Sequence, residues 1–183
     1  MAQAKKKKRF FEVDIPLIKK EANLQAYESE EIEGKTIKYD LTRLLKGKNA
    51  ILYLKVEKEE EKYVAIPKKI EIIHSSLSRM VRRGTDYVED SFLVNCKDFQ
   101  LNIKPFLITR RKVHKSVKNA LRNEAKKEII EYIKDKKVET IFEDILKNQF
   151  QKYLSLKLKK IYPLSVCEIR ILETKKSITE KKE

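Results

Sequence analysis

Apolar and polar residues alternate in two stretches of the chain. Leu52, Leu54 and Val56 share one face of a period-two pattern, and after the charged turn at 58–62 Val64 and Ile66 answer them, which predicts a hairpin. Phe92, Val94 and Cys96 alternate with Leu93 and Asn95, and Phe99, Leu101 and Ile103 with Gln100, Asn102 and Lys104. This is a second hairpin with Lys97-Asp98 at its tip. Pro105 has no N–H to give to a ladder, so it belongs at an edge or a bulge. Shorter strands fit 36–39 and 10–16, where Pro16 ends the run. The polar, acidic stretch 18–33 reads as a connection with a helical turn.

The later part of the chain changes period. Val117, Leu121, Ala125 and Ile129 recur every four residues, so 116–136 predicts the longest helix with these four as its buried stripe. Ile141, Ile145 and Leu146 mark another helix. Phe150, Leu154, Leu158 and Ile161 mark a third, closed at Tyr162-Pro163 because the residue before proline avoids the α region. Residues 166–172 alternate again, with Cys167, Ile169 and Ile171 facing one way. Between the hairpins, Ser75-Ser76 offers an N-cap, Leu77, Met80 and Val81 follow at helical spacing, and Gly84 sits where a glycine would stop the helix. Strands first and helices afterwards make the fold class α+β. The expected layout is a basic extension at 1–9, a single domain at 10–173 that is β-rich over 34–110 and mainly helical over 111–173, and a charged flexible tail at 174–183.

Charge narrows the partners. Among 183 residues, 43 Lys+Arg face 28 Asp+Glu, a formal +15. A small domain needs only roughly 2–8 net charges for solubility, so this excess points to a polyanion, nucleic acid first. An anionic membrane surface is the competing partner. It would call for a polybasic run beside an amphipathic helix or a lipid anchor, and the residue after Met1 is Ala2, not the glycine of myristoylation. No apolar run approaches the ~18–20 residues that cross a bilayer, and no apolar stretch follows the Lys-rich start as in a secretory signal. Cys96 and Cys167, far apart in a Cys-poor chain, are expected as buried thiols in a reducing compartment.

Catalytic machinery is scarce. Three glycines can hardly build a phosphate-binding loop, His-Glu-x-x-His and Cys-x-x-Cys are absent, and His74, His114, Cys96 and Cys167 match no zinc spacing. No catalytic residue, cofactor, metal or small-molecule substrate is expected. A metal-dependent nuclease could use Asp86, Glu89 and Asp90, but charge balance across the turn from Arg82 and Arg83 explains them more simply. The cations say more. Arg79, Arg82 and Arg83 fall on the short helix. Arg110, Arg111 and Lys112 leave the second hairpin, and Lys115, Lys118, Arg122 and Lys126 follow at helical steps. Lys5, Lys6, Lys7, Lys8 and Arg9 form a run at the start. Arginine forks pair bidentately with phosphate and lysine adds point charge, so these are the candidate nucleic-acid contacts. With no aromatic ladder in view, duplex backbone is favoured over stacked single strands.

Several of these runs follow one another in a recognisable order. Lys8-Arg9-Phe10-Phe11-Glu12-Val13 opens the series. Leu77-Ser78-Arg79-Met80-Val81-Arg82-Arg83-Gly84, Val94-Asn95-Cys96-Lys97-Asp98 and Ile103-Lys104-Pro105-Phe106-Leu107-Ile108-Thr109-Arg110-Arg111 form a central block. The basic helix from Ser116-Val117-Lys118 and the segment Lys159-Lys160-Ile161-Tyr162-Pro163-Leu164 come after it. Together they resemble the archaeal and eukaryotic small-ribosomal-subunit protein family S-one-e, also called S-three-a, over nearly the whole chain. The resemblance implies β-barrel-like antiparallel hairpins followed by packed helices and a short C-terminal strand. It also implies no enzymatic activity and a structural role in translation, bound to rRNA on the platform of the small subunit near the messenger exit and the 3′ end of the small-subunit rRNA. The implied partners are that rRNA, neighbouring platform proteins and messenger RNA nearby. A free RNA-binding or chaperone protein using the same basic patch is the alternative.

Overall fold

A computed structural model describes residues 8–45, 48–59 and 62–177. They fall into two compact units. One takes in the chain up to Tyr39 with Leu52–Lys68, and the other Asp40–Ile51 with the chain from Lys69 onward.

In the first unit β1 (Arg9–Ile15) and β2 (Lys20–Ala26) form an antiparallel hairpin with Val13 opposite Ala22. Pro16 follows β1 directly, and the turn closes through Lys19 at φ 55°. β2 stands where a connection was expected. Its inward positions are Ala22, Leu24 and Ala26, one large apolar residue between two small ones, which is a faint alternation to read. A 3-10 turn at Ser29–Glu31 leads to β3 (Thr36–Asp40), which pairs with β4 (Ala50–Glu59), and β4 pairs with β5 (Lys62–Ile72) as the first predicted hairpin. β1 also lies parallel to β5, Val13 opposite Tyr63. β2 and β3 are therefore the two ends of a mixed sheet. The Lys20 ammonium reaches the Tyr39 hydroxyl at 3.2 Å between these ends, but no backbone ladder joins them among the described residues, so the barrel-like order does not close.

In the second unit the end of β5 pairs with β9 (Leu164–Ser177), and β9 pairs with β8 (Phe99–Thr109) along most of its length. The other edge of β8 takes β7 (Phe92–Asn95) and then β6 (Tyr87–Glu89). Pro105 thus lies in a central strand. It sits at a register shift against β9, in the gap between the β7 pairing, which ends at Ile103, and the β6 pairing, which begins at Phe106. The bulge accommodates the missing N–H. β9 is longer than the short strand expected. Thr174 pairs with Leu101 and Ser177 with Phe99, so backbone pairing orders a stretch whose composition suggests a tail.

Among the described residues, four helices belong to this unit: α1 (His74–Met80), α2 (Lys115–Lys134), α3 (Val138–Leu146) and α4 (Gln149–Leu158). On α2, Leu121, Ala125, Ile129 and Ile133 are buried, while Val117 is only half-buried at the start. Asn148, in the left-handed region at φ 56°, joins α3 to α4. α4 stops at Leu158, so Ile161 falls in the following turn, 39% exposed, and is not part of the buried stripe. α1 begins earlier than the serine cap suggested, with Ser76 buried inside its first turn, and ends at Met80 with Val81 extended. Gly84, at φ 83°, serves the next turn instead, where the Thr85 amide and hydroxyl both donate to the Arg82 carbonyl. Arg82 and Arg83 consequently stand in a turn and do not share the helix of Arg79.

Both cysteines are buried free thiols. Cys96 donates to the Phe99 carbonyl at 2.7 Å, and burial, aided by the neighbouring Glu168 charge, pushes the Cys167 thiol up to about 12. No helix among the described residues is long and apolar enough to cross a membrane.

Candidate nucleic-acid interface

The formal charge is unevenly divided. Residues of the second unit include 30 Lys/Arg against 17 Asp/Glu, +13 of the total +15, whereas the first unit has 13 against 11. Most of the excess therefore belongs to the unit with the helices.

Within it, one hydrogen-bonded pair organises the cations. Asp86 precedes β6 and Thr109 ends β8, 23 positions apart, and the β6–β8 ladder brings them face to face. Thr109 N–H donates to the Asp86 carbonyl at 2.9 Å, and Asp86 N–H donates to Thr109 Oγ1 at 3.1 Å. Oγ1 also lies 2.7 Å from the Arg111 carbonyl and 2.9 Å from that of Asp86. A hydroxyl has one proton to give. The shorter distance assigns that proton to the Arg111 carbonyl. Asp86 Oδ2 in turn accepts the Val113 N–H at 3.0 Å and pairs with the Lys118 ammonium at 3.3 Å. The Val113 amide first, then the Lys118 and Lys112 charges, hold the Asp86 carboxyl below its usual range.

Three basic segments meet around this pair. The turn with Arg82 and Arg83 leads into Asp86, Arg110, Arg111 and Lys112 leave Thr109, and Lys115 opens α2. Thr109 has no exposed surface, whereas all six cations are exposed. α2 starts here with no acidic residue in its first turn and no side-chain N-cap, so the positive end of its dipole adds to the same field.

The remaining candidates are placed differently. Lys118 is half-buried in its ion pair with Asp86, so its charge is partly committed within the protein. Arg122 is exposed further along α2, and the Lys126 ammonium lies 5.6 Å above the Phe92 ring. Arg79 stays on α1 with Nε donating to the Ser75 carbonyl at 3.2 Å. In the first unit, the Lys8 ammonium sits 5.4 Å above the Tyr27 ring, and Arg9 opens β1 opposite Ala26. Lys5, Lys6 and Lys7 lie outside the described residues.

The three carboxylates of the nuclease idea have separate partners. Asp86 is held as above, Glu89 faces the Arg170 guanidinium at 3.2 and 3.3 Å, and Asp90 accepts the Ser91 N–H at 2.9 Å. Among the described residues, no group of three or more His, Cys, Asp or Glu is placed to hold a metal ion. Sequence reasoning took Asp86 for charge balance and passed over Thr109. The one local signal was a threonine ending a buried strand directly before three cations.

The chain is thus a mixed sheet with helices, with a basic, hydrogen-bonded junction in its more positive unit. The model of the Ribosomal S3Ae family matches residues 2–177, and the chain belongs to this family; it is a ribosomal protein of the small subunit, serving translation. It is similar to the small ribosomal subunit protein eS1 of Nanoarchaeum equitans (strain Kin4-M), 29% identical over 168 residues that cover 86% of this chain and 84% of that one.

Proposed function

We propose that the protein is a structural constituent of the small ribosomal subunit that binds its rRNA through the cations gathered around Asp86 and Thr109. The seat is on the platform near the messenger exit and the 3′ end of the small-subunit rRNA, beside neighbouring platform proteins. Arg82, Arg83, Arg110, Arg111, Lys112 and Lys115 contact phosphates directly. Arg79 and Arg122 extend the surface, Lys118 contributes beside its carboxylate, and Lys5, Lys6, Lys7, Lys8 and Arg9 act as a basic arm. The observation that carries this reading is the convergence of three basic segments on one hydrogen-bonded pair in a chain of a ribosomal family. Such an array reads phosphate position more than base identity. The role is scaffolding, with no reaction catalysed.

Sedimentation tests the assignment. Tagged full-length protein in a lysate of its source cells travels with small subunits through moderate salt. Protein that stays at the top of the gradient while still binding RNA overturns the assignment in favour of a free RNA-binding or chaperone protein.

A further inference from the structure

We infer that Asp86 is a positioning residue for the RNA contact: its carboxylate and the Thr109 hydroxyl fix the backbone from which the cations project. The inference rests on the RNA-contact reading above and concerns how that site is held together. Arg110, Arg111 and Lys112 are consecutive like charges in the short link from β8 to α2, with Arg82 and Arg83 in the turn that leads to the same point. Mutual repulsion drives such segments apart. Two bonds oppose it. The Thr109 hydroxyl holds the Arg111 carbonyl at 2.7 Å, and Asp86 Oδ2 holds the Val113 amide at 3.0 Å, so the link is pinned on both sides of Lys112. The reciprocal Asp86–Thr109 backbone bonds join this link to the chain leaving the Arg82–Arg83 turn.

The sign of one substitution separates positioning from electrostatics. An acid inside a basic patch lowers the local field, so on charge alone its removal tightens RNA binding. Asp86→Asn removes the charge and keeps an oxygen that can accept the Val113 amide. Asp86→Ala removes both. Charge alone predicts that the two variants bind alike and more tightly than the wild type. Positioning predicts that Asn binds at least as well as the wild type while Ala binds more weakly.

The test uses full-length protein and a mixed-sequence RNA hairpin over a KCl series, with amide hydrogen exchange at 110–113 read in parallel. The expected result is that Asp86→Ala binds about three- to tenfold more weakly than Asp86→Asn, with a salt slope shallower by roughly 0.7–0.9 for each phosphate that is no longer neutralised. Exchange at 110–113 speeds up in the Ala variant only. Equal, tightened binding by both variants overturns the positioning role and leaves the RNA site standing. If Arg82→Ala/Arg83→Ala/Arg110→Ala/Arg111→Ala also leaves the slope at its wild-type value, the RNA site falls and the positioning role with it. Should Asp86→Ala fail to fold, Thr109→Ser and Thr109→Val provide the same contrast, since serine keeps the hydroxyl and valine lacks it. Binding by the valine variant equal to that of serine overturns the inference.

Discussion

In the first unit the outward face of the β1–β2 hairpin sets Phe10, Glu12 and Asp14 opposite Gln25, Asn23 and Glu21, and Glu28, Glu30 and Glu31 follow soon after. Its 13 basic residues meet 11 acidic ones, and apolar side chains on its end strands, Leu24 and Ile37, stay half-exposed. In the second unit 30 basic residues meet 17 acidic ones, and Leu121, Ile129, Ile133, Phe142 and Leu154 have no exposed surface. Excess like charge strains a folded state by self-repulsion. The excess sits on the second unit; the nearly balanced first unit has thin cover on its end strands, although its centre is closed, with Val13, Ile15, Leu52, Leu54 and Val56 showing no exposed surface.

A core truncation in the second unit, set against an end-strand truncation in the first, shows the difference in cover most strongly. Leu121→Ala is expected to cost about 2–5 kcal/mol in urea unfolding of the full chain, because a fully buried stripe position leaves a cavity. Leu24→Ala, half-exposed on an end strand, is expected to cost roughly half that or less. Equal destabilisation at the two sites removes the contrast in packing.

The junction comes next. Thr109→Val is expected to destabilise by about 1–3 kcal/mol, since it strips the hydroxyl from the Arg111 carbonyl and the Asp86 amide in a site with no exposed surface. Thr109→Ser preserves those bonds and keeps most of the wild-type stability. If valine and serine melt alike, the hydroxyl has no structural role.

Acid probes the same junction more gently. The folded Asp86 carboxyl titrates below its ordinary 3.8. Its contribution is therefore complete above that value and disappears only as pH falls through the lower folded value. Protonated Asp86 keeps an oxygen that can accept the Val113 amide, so protection of that amide, corrected for intrinsic exchange, should survive titration of the carboxyl, and only the ion pair with Lys118 is lost. Loss of protection already near pH 6 shows that another group governs the link. Smallest of all, native Cys96 and Cys167 should resist thiol reagents. Cys167 stays protonated until about 12, and stoichiometric labelling at neutral pH contradicts its burial.

How much of this was legible in the sequence depends on whether the signal was local. α2 was legible because Leu121, Ala125 and Ile129 repeat at one turn of a helix, and the β7–β8 hairpin because large apolar residues alternate on both sides of a short tip. β2 was not, since Ala22 and Ala26 contribute little hydrophobic contrast. The last residues of β9 are polar and charged, and their order comes from backbone pairing to Phe99 and Leu101, which composition does not record. The end of α1 was misplaced because a glycine with positive φ suits a helix stop and a turn equally. The basic residues of the site were visible as runs. What gathers them was not, because Asp86 and Thr109 meet only once β6 has paired with β8, and for the same reason Lys118 looked free when it faces Asp86.

A matched neutralisation bears most directly on where RNA binds. One variant, Arg82→Ala/Arg83→Ala/Arg110→Ala/Arg111→Ala, removes four cations from the junction. The other, Lys19→Ala/Lys35→Ala/Lys38→Ala/Lys55→Ala, removes four from the first unit, where Lys35 and Lys55 already face Glu31 and Glu57. Both lower the net charge by the same amount, so a general field affects them alike. In titrations of a mixed-sequence RNA hairpin across a KCl series, the salt-dependence slope of the junction variant should fall by about 3, at roughly 0.7–0.9 per phosphate. The first-unit variant should keep the wild-type slope. Equal reductions in the two variants contradict a localised site and leave only a diffuse positive surface.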